Sequence, residues 1–260
     1  MARVDRLGES AKAWLQVASV IGRSFDADLV TEVAGGDGAT IIAELQDMEL
    51  VHNTDHVGVF IFKHALIQDA VYDSLLSDKR AILHERVAEV IEARNMHRLG
   101  EITETLAYHY AKTPRVDKAV RYMAEAGQKS LMVYSLDDAY LQLRTVVELV
   151  EKVPDAAEDA FFLDALLSLA RALYFRMDMR GIIDLLTPHL PRAEALGDPQ
   201  RLSRLLFEIG YAHVFGGDLT NGYPLLDRAD AIGVESGNEL ITGYVAMGKM
   251  WGEMTFRQHD

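Results

Sequence analysis

Lys63 and His64 stand where a short apolar run, Phe60-Ile61-Phe62, passes directly into an amphipathic stretch at residues 65–76. A lysine beside a histidine at a helix start could hold a phosphate, because the first amides of a helix have no partner inside it and point outward. Such a pocket needs further groups from a domain outside this chain. The more ordinary role for His64 is structural, its ring bonding a nearby carbonyl or carboxylate at the junction. Ala34-Gly35-Gly36-Asp37-Gly38 is rich in glycine, as phosphate-cradling loops are. It lacks the following Lys-Ser/Thr pair and comes after a predicted helix, so it reads as a turn. No G-x-x-x-x-G-K-[ST] loop occurs anywhere in the sequence. His52, His56 and His64 cluster near one predicted hairpin without metal-ligand spacing and read as surface histidines, so no metal site is expected. Asp117, Asp137, Asp138, Asp178 and Asp218 fall at predicted helix starts, where capping explains them without catalysis. No Ser-His-Asp or paired-carboxylate arrangement stands out among the 40 acidic residues, which read as solvated faces. The residues therefore predict a chain without catalytic residues and without a cofactor of its own.

The elements that position these residues begin with three short helices. Residues 10–22 put Trp14, Leu15, Val17, Ala18 and Ile21 on one face, with Ser10 as the cap and Gly22 as the stop. Phe25 opens a second helix at residues 26–33. A third runs over residues 39–50 with Ile41, Ile42, Leu45 and Met48 inward. Residues 51–52 and 57–62 read as the two strands of a hairpin around Asn53-Thr54-Asp55-His56. Three helices and a two-stranded wing is the order of a winged helix, a fold that often reads DNA through its third helix. Between Asp26 and Phe62 there is no Lys or Arg, while eight Asp and Glu residues occur there. Binding to a phosphate backbone draws most of its strength from cations, so nucleic acid is not an expected partner. A formal net charge of −14 points the same way.

The remainder reads as about ten helices: residues 65–76, 78–94 (Asp78 as cap; Ile82, Leu83, Val87, Val90 and Ile91 on one face), 102–112, 115–134, 136–152, 158–176, 179–196, 200–215, 218–236 and 239–256. Leu169 to Phe175 matches Ile209 to Phe215 at an offset of 40, and Asp178 matches Asp218 at the same offset. That is the period of a helical hairpin, with Ala170 or Gly210 suited to close helix contact and the turns Met177-Asp178 and Gly216-Gly217-Asp218 ending one helix and capping the next. Leu106, Ala107, Tyr110, Ala119, Met123 and Ala126 have the small-and-large spacing of a tetratricopeptide repeat. Tyr108, Tyr110, Tyr122, Tyr134, Tyr174, Phe175, Tyr211 and Phe215 read mostly as repeat core, with one or two lining a groove. The predicted fold is thus mainly α: a small winged-helix domain at residues 1–76, a connecting helix at 77–100, and a superhelix of tetratricopeptide-like hairpins over 101–260. Stacked hairpins need a polar terminal cap. Residues 240–256 are apolar and no partner helix follows, so the chain reads as a piece of a longer array, with Met250, Trp251 and Met254 expected to be exposed. There is no cysteine, no signal-peptide core and no apolar run near the ~18 residues of a membrane span, so a cytoplasmic, membrane-free protein is expected.

Residues 60–76, followed by Asp78-Lys79-Arg80-Ala81-Ile82-Leu83-His84, resemble the region after the ATPase core in bacterial STAND-type (NB-ARC-like) signalling ATPases. The similarity is greatest to those that join a class III adenylate/guanylate cyclase domain, an AAA-like ATPase and tetratricopeptide repeats. Arg3-Val4-Asp5-Arg6-Leu7 through Ala18-Ser19-Val20-Ile21-Gly22-Arg23 is similar to the start of that winged helix. Leu106-Ala107-Tyr108-His109-Tyr110 and Ala124-Glu125-Ala126-Gly127 are similar to the start of the repeats. The resemblance covers about residues 2–150, and the remainder only as generic repeats. It implies an upstream ATPase domain in cis that would bind ATP or ADP, and a protein or peptide ligand on the repeat surface. It also implies that His64, with Lys63, contacts nucleotide held by that domain, although Lys63-His64-Ala65 lacks the acid of the plant-type Met-His-Asp pattern. Two alternatives remain: part of a tetratricopeptide-containing transcriptional regulator, or a free-standing tetratricopeptide adaptor.

Overall fold

The computed structural model describes residues 4–256; residues 1–3 and 257–260, where the expected first domain begins and the expected repeats end, lie outside the described residues. The chain forms two compact units, Met1–Tyr122 and Met123–Asp260, and the division falls inside the helix Val116–Met132.

In the first unit, α1 (Glu9–Ile21) buries Trp14, Leu15, Val17 and Ala18. Its N-cap is Gly8 rather than the expected Ser10, and Gly22 ends it with its amide on the Ala18 carbonyl. A strand unforeseen in the sequence follows, β1 (Ser24–Asp26). Asp26 then caps α2 (Ala27–Ala34), its carboxylate accepting from the Leu29 amide at 2.7 Å. Helix α3 (Gly38–Asp47) is capped by Asp37 and ends before the expected Leu50. Strands β2 (Val51–Asn53) and β3 (Val59–Phe62) complete an antiparallel sheet of order β1-β3-β2. Pairing of Phe25 with Phe60 and of Val51 with Phe62 sets the register. Phe25 packs edge-on to Trp14 and Phe62, at 5.6 and 5.3 Å between ring centres, tying sheet to helix. The order α1-β1-α2-α3-β2-β3 makes this part winged-helix-like.

Helix α4 (Ala65–Asp73) leads to α5 (Ser77–Arg94), whose N-cap is Leu76; Asp78 lies in its first turn instead of capping it. The segment read as a connecting helix packs on α1 and α2, within the first unit. Its buried face is Leu83, His84, Val87, Ala88 and Ile91. Ile82, expected on that face, is 56% exposed. Helix α6 (Leu99–Tyr110) follows, then α7 (Val116–Met132). Glu92 knots these helices: the hydroxyls of Tyr110 and Tyr122 donate to it at 2.6 and 2.7 Å, and the Lys118 ammonium at 2.6 Å. Those donors hold its carboxyl below the ordinary range against the opposing effect of burial.

The second unit continues with α8 (Leu136–Lys152), α9 (Asp159–Phe175), α10 (Met179–Leu186), α11 (Leu190–Leu196), α12 (Pro199–Phe215), α13 (Leu219–Ser236) and α14 (Glu239–Phe256). The single helix expected over residues 179–196 is broken by a 3-10 turn, Thr187–His189, because Pro188 has no amide to donate and its ring crowds the preceding turn. The turns between paired helices repeat. Tyr134, Met177 and Gly217 all adopt positive φ. The next residue in each case sends its amide back five residues: Ser135 to Ser130, Asp178 to Leu173 and Asp218 to His213. Asp178 and Asp218 then cap α10 and α13, as their spacing predicts. Asp117, Asp137 and Asp138 lie in first turns, without being the cap. Gly210 and Gly222 let α12 and α13 meet at backbone distance: a Cβ on Gly222 would lie 2.8 Å from the Gly210 carbonyl oxygen. No helix among the described residues is long and apolar enough to cross a membrane.

Candidate functional site

The 40-residue repeat lays a stripe of side chains on one face of α9, α12 and α14. Asp164, Arg204 and Tyr244 are spaced by 40, as are Leu167, Phe207 and Met247, and Arg171, Tyr211 and Trp251. Within each helix these positions differ by three, four or seven residues, so they share a face. All of these except Trp251, together with Tyr174, Phe175 and Glu208, line an open groove, with one cavity of about 450 Å³ between the three helices and one of about 320 Å³ beside it. A third cavity, of about 440 Å³, extends the groove toward Gln128, Leu131 and Tyr134. The sizes suit side chains of a bound segment or a small ligand.

Aromatic rings form the wall. Phe207 stacks with Tyr211 and with Tyr244, at 5.6 Å in each case, and Tyr174 lies 6.2 Å from Tyr211. Tyr134 meets Phe175 at 5.6 Å. The expectation that these aromatics are core needs correcting here: Tyr134 is 71% exposed and Phe175 41% exposed. Tyr174 and, in the first unit, Tyr108 are likewise exposed, whereas Tyr110 and Tyr122 are buried as expected. Trp251, expected to be exposed, is half-buried and stacks on Phe215 at 4.6 Å; Met250 and Met254 are exposed as expected.

The polar groups of the groove are mostly paired off. Arg201 donates to both oxygens of Asp164, at 2.9 and 2.7 Å, and also bonds the Asp198 cap. Glu208 is buried and accepts from Arg204 at 2.8 Å. Burial pushes the Glu208 carboxyl upward, opposed by the charges of Arg204 and Arg171. The Arg204 guanidinium also lies over the Tyr244 ring at 5.2 Å. Arg171 is exposed and makes no hydrogen bond or ion pair with a described residue; it acts on Glu208 through its charge.

Lys63 and His64 are elsewhere, in the first unit. His64 is the N-cap residue of α4, but its ring is exposed and makes no capping bond; the carbonyl or carboxylate partner anticipated for it is not found among the described residues. Lys63 pairs with Glu49 at 3.0 Å, so a carboxylate already occupies the cation expected to face a phosphate. His52 and His56 are exposed, and no group of three or more His, Asp or Glu among the described residues is placed to hold a metal ion.

A polar cluster that the sequence reading did not single out is buried in the first unit. His84 on α5 and His109 on α6 are 0% and 1% exposed, with their Nδ1 atoms 2.9 Å apart. The Tyr72 hydroxyl lies 3.0 Å from His84 Nε2. One arrangement pairs these three groups with both rings neutral: Tyr72 donates to His84 Nε2, and His84 Nδ1–H donates to His109 Nδ1. Arg80 stacks over Tyr72 at 4.3 Å and Lys112 over Tyr108 at 5.0 Å, adding positive charge nearby. Desolvation first, then the charge of His109 and then those of Lys112 and Arg80, lowers His84 to about 3; desolvation and Lys112 lower His109 to about 4. The signal in the sequence was a histidine in register with Val87, Ala88 and Ile91 on a helix face; its partner is set by tertiary contact alone.

The fold and groove define a mainly α protein with a winged-helix-like part and tetratricopeptide-like hairpins. No protein-family model matches the chain, and no curated protein matches it. Among solved structures, it is similar to a signal transduction ATPase with numerous domains (STAND) carrying a tetratricopeptide repeat sensor, from Pyrococcus horikoshii. The identity is 12% and the TM-score 0.45, over 96% of this chain and 48% of that one, so the chain spans about half the length of that structure.

Proposed function

We propose that this chain is a regulatory, protein-interaction region of a STAND-type signalling ATPase, cytoplasmic and not itself catalytic. The observation that carries the reading is the groove: the same face of three successive repeats is left open and lined with exposed aromatic and arginine side chains, which is where stacked hairpins bind segments of other proteins. In this reading the groove takes a protein or peptide ligand, and the chain binds neither nucleic acid nor membrane. The winged-helix-like part docks on an ATPase domain in cis, and that domain, rather than this chain, holds ATP or ADP. Lys63 and His64 contact the nucleotide there, Lys63 after exchanging Glu49 for phosphate. The similarity of residues 2–150 to ATPase–cyclase fusions extends the proposal to a class III nucleotide cyclase as the output.

The coding sequence upstream of residue 1 tests the assignment: a phosphate-binding loop is expected, and a reading frame without one removes it. In a protein that carries that loop, His64→Ala should weaken ADP retention or raise basal output. Retention and output both unchanged would take Lys63 and His64 out of the nucleotide site while leaving the groove reading standing.

A further inference from the structure

We infer that the groove of the second unit takes a peptide segment in which a carboxylate side chain stands beside an apolar one, the carboxylate sitting on Arg171. This rests on the reading of the groove as a peptide site and names its ligand.

The charge pattern leads to it. Of the ionised groups that line the cavities, Asp164 is engaged by Arg201, which also bonds Asp198, and Glu208 is engaged by Arg204. Arg171 is left over, and it lines all three cavities. A chain of net charge −14 thus places at the centre of its groove one guanidinium that has no hydrogen-bonded or ion-paired acid among the described residues. A basic side chain brought there would meet Arg171 and find both neighbouring carboxylates already engaged. A carboxylate finds a planar guanidinium with donors in the fork geometry that carboxylates match. A single spare guanidinium balances one carboxylate and leaves a doubly charged phosphoryl group half compensated.

The second half of the ligand follows from what lies one helical turn on. Tyr174 and Phe175 are three and four residues from Arg171 on the same helix, and Tyr211 and Phe207 face them from α12. Tyr174, Phe175 and Tyr211 are partly exposed, so an apolar side chain next to the acid covers them and shields the ion pair from water. Arg171 itself is exposed and makes no hydrogen bond or ion pair with a described residue, so its use breaks no such contact.

The test is selection of a random-peptide phage library on the full chain, followed by fluorescence anisotropy of a synthesised consensus peptide. An excess of Asp or Glu adjacent to an apolar residue is expected. Arg171→Gln should weaken the consensus peptide about tenfold or more, the loss of one charge-assisted hydrogen bond. Arg171→Glu should move the selection toward Lys and Arg. Arg180→Gln should leave binding unchanged, because Arg180 pairs with Asp184 on α10 and lines none of these cavities. Selected peptides without an acidic excess, or equal binding by Arg171→Gln, overturn the inference while leaving the groove a peptide site. If no sequence is enriched, the peptide reading of the groove falls and this inference with it.

Discussion

Acidification should unfold the first unit through the His84–His109 pair. Both rings are buried and neutral, with folded values of about 3 and about 4 against an ordinary 6.5. Below pH 6.5 the unfolded chain therefore binds more protons than the folded one, so stability rises with pH. The contribution is complete above the unfolded value and is lost progressively as pH falls toward the folded values. Between about pH 7 and about pH 5 each ring accounts for a loss of about 2 kcal/mol, or about 4 kcal/mol together. That is a large share of the 5–15 kcal/mol typical of a domain. The geometry gives the reason: the two Nδ1 atoms share one hydrogen bond, so a second proton sets N–H against N–H with Arg80 and Lys112 close by. Glu92 and Asp117, whose carboxyls are held low, also lose stability in acid, but mainly below the ordinary carboxylate range. The assay is urea unfolding followed by Trp14 fluorescence in a Trp251→Phe background, so that the signal comes from the first unit alone. A His84→Gln/His109→Gln variant keeps polar partners in place and removes the titration. It will be less stable at neutral pH, yet its stability should change little over the same range. Parallel pH profiles for the two proteins would refute the argument.

Three other outcomes are expected. Gly222→Ala should lower the second unit's stability by about 1–3 kcal/mol, because the added Cβ meets the Gly210 carbonyl oxygen at 2.8 Å and Val214 Cγ2 at 2.6 Å, and backbone cannot yield cheaply. An unchanged or raised melting temperature, as helix propensity alone would give, counts against that close approach. Asp198→Ala should cost about 1–2 kcal/mol, since its carboxylate accepts from the amides of Gln200 and Arg201 at the start of α12; differential scanning calorimetry measures it, and a loss of a few tenths would show the cap to be unimportant. A labelled DNA duplex should not bind at about 50 mM salt, and saturable, salt-sensitive binding would contradict the charge argument made for residues 26–62.

How legible the molecule was depends on the range of the interaction. The helices of the second unit were readable almost to the residue, because their 3.6-residue periodicity and their Asp178 and Asp218 caps are local signals. The exception, the break at Thr187–His189, was also local and turned on Pro188. The strand Ser24–Asp26 was not readable: three residues are too few to show alternation, and they are a strand only because Phe25 pairs with Phe60 far along the chain. Ile82 and His84 exchanged roles for the same reason, since a periodic face fixes the spacing of inward residues but leaves its exact direction to the packing of α1, α2 and α6.

The sequence by itself determined the helical class, the 40-residue period, the charge that argues against DNA and the lack of a phosphate-binding loop in this chain, all of which follow from composition and short-range pattern. Only the tertiary structure decided which polar groups neutralise one another. Arg201 and Asp164 are 37 residues apart and His84 and His109 are 25 apart, yet each pair is in contact. Arg171 has no hydrogen bond or ion pair among the described residues for the complementary reason: Glu208, the acid it acts on through its charge, is engaged by Arg204. Pairing of charges depends on distances of a few ångströms between helices, and one-dimensional spacing does not encode them.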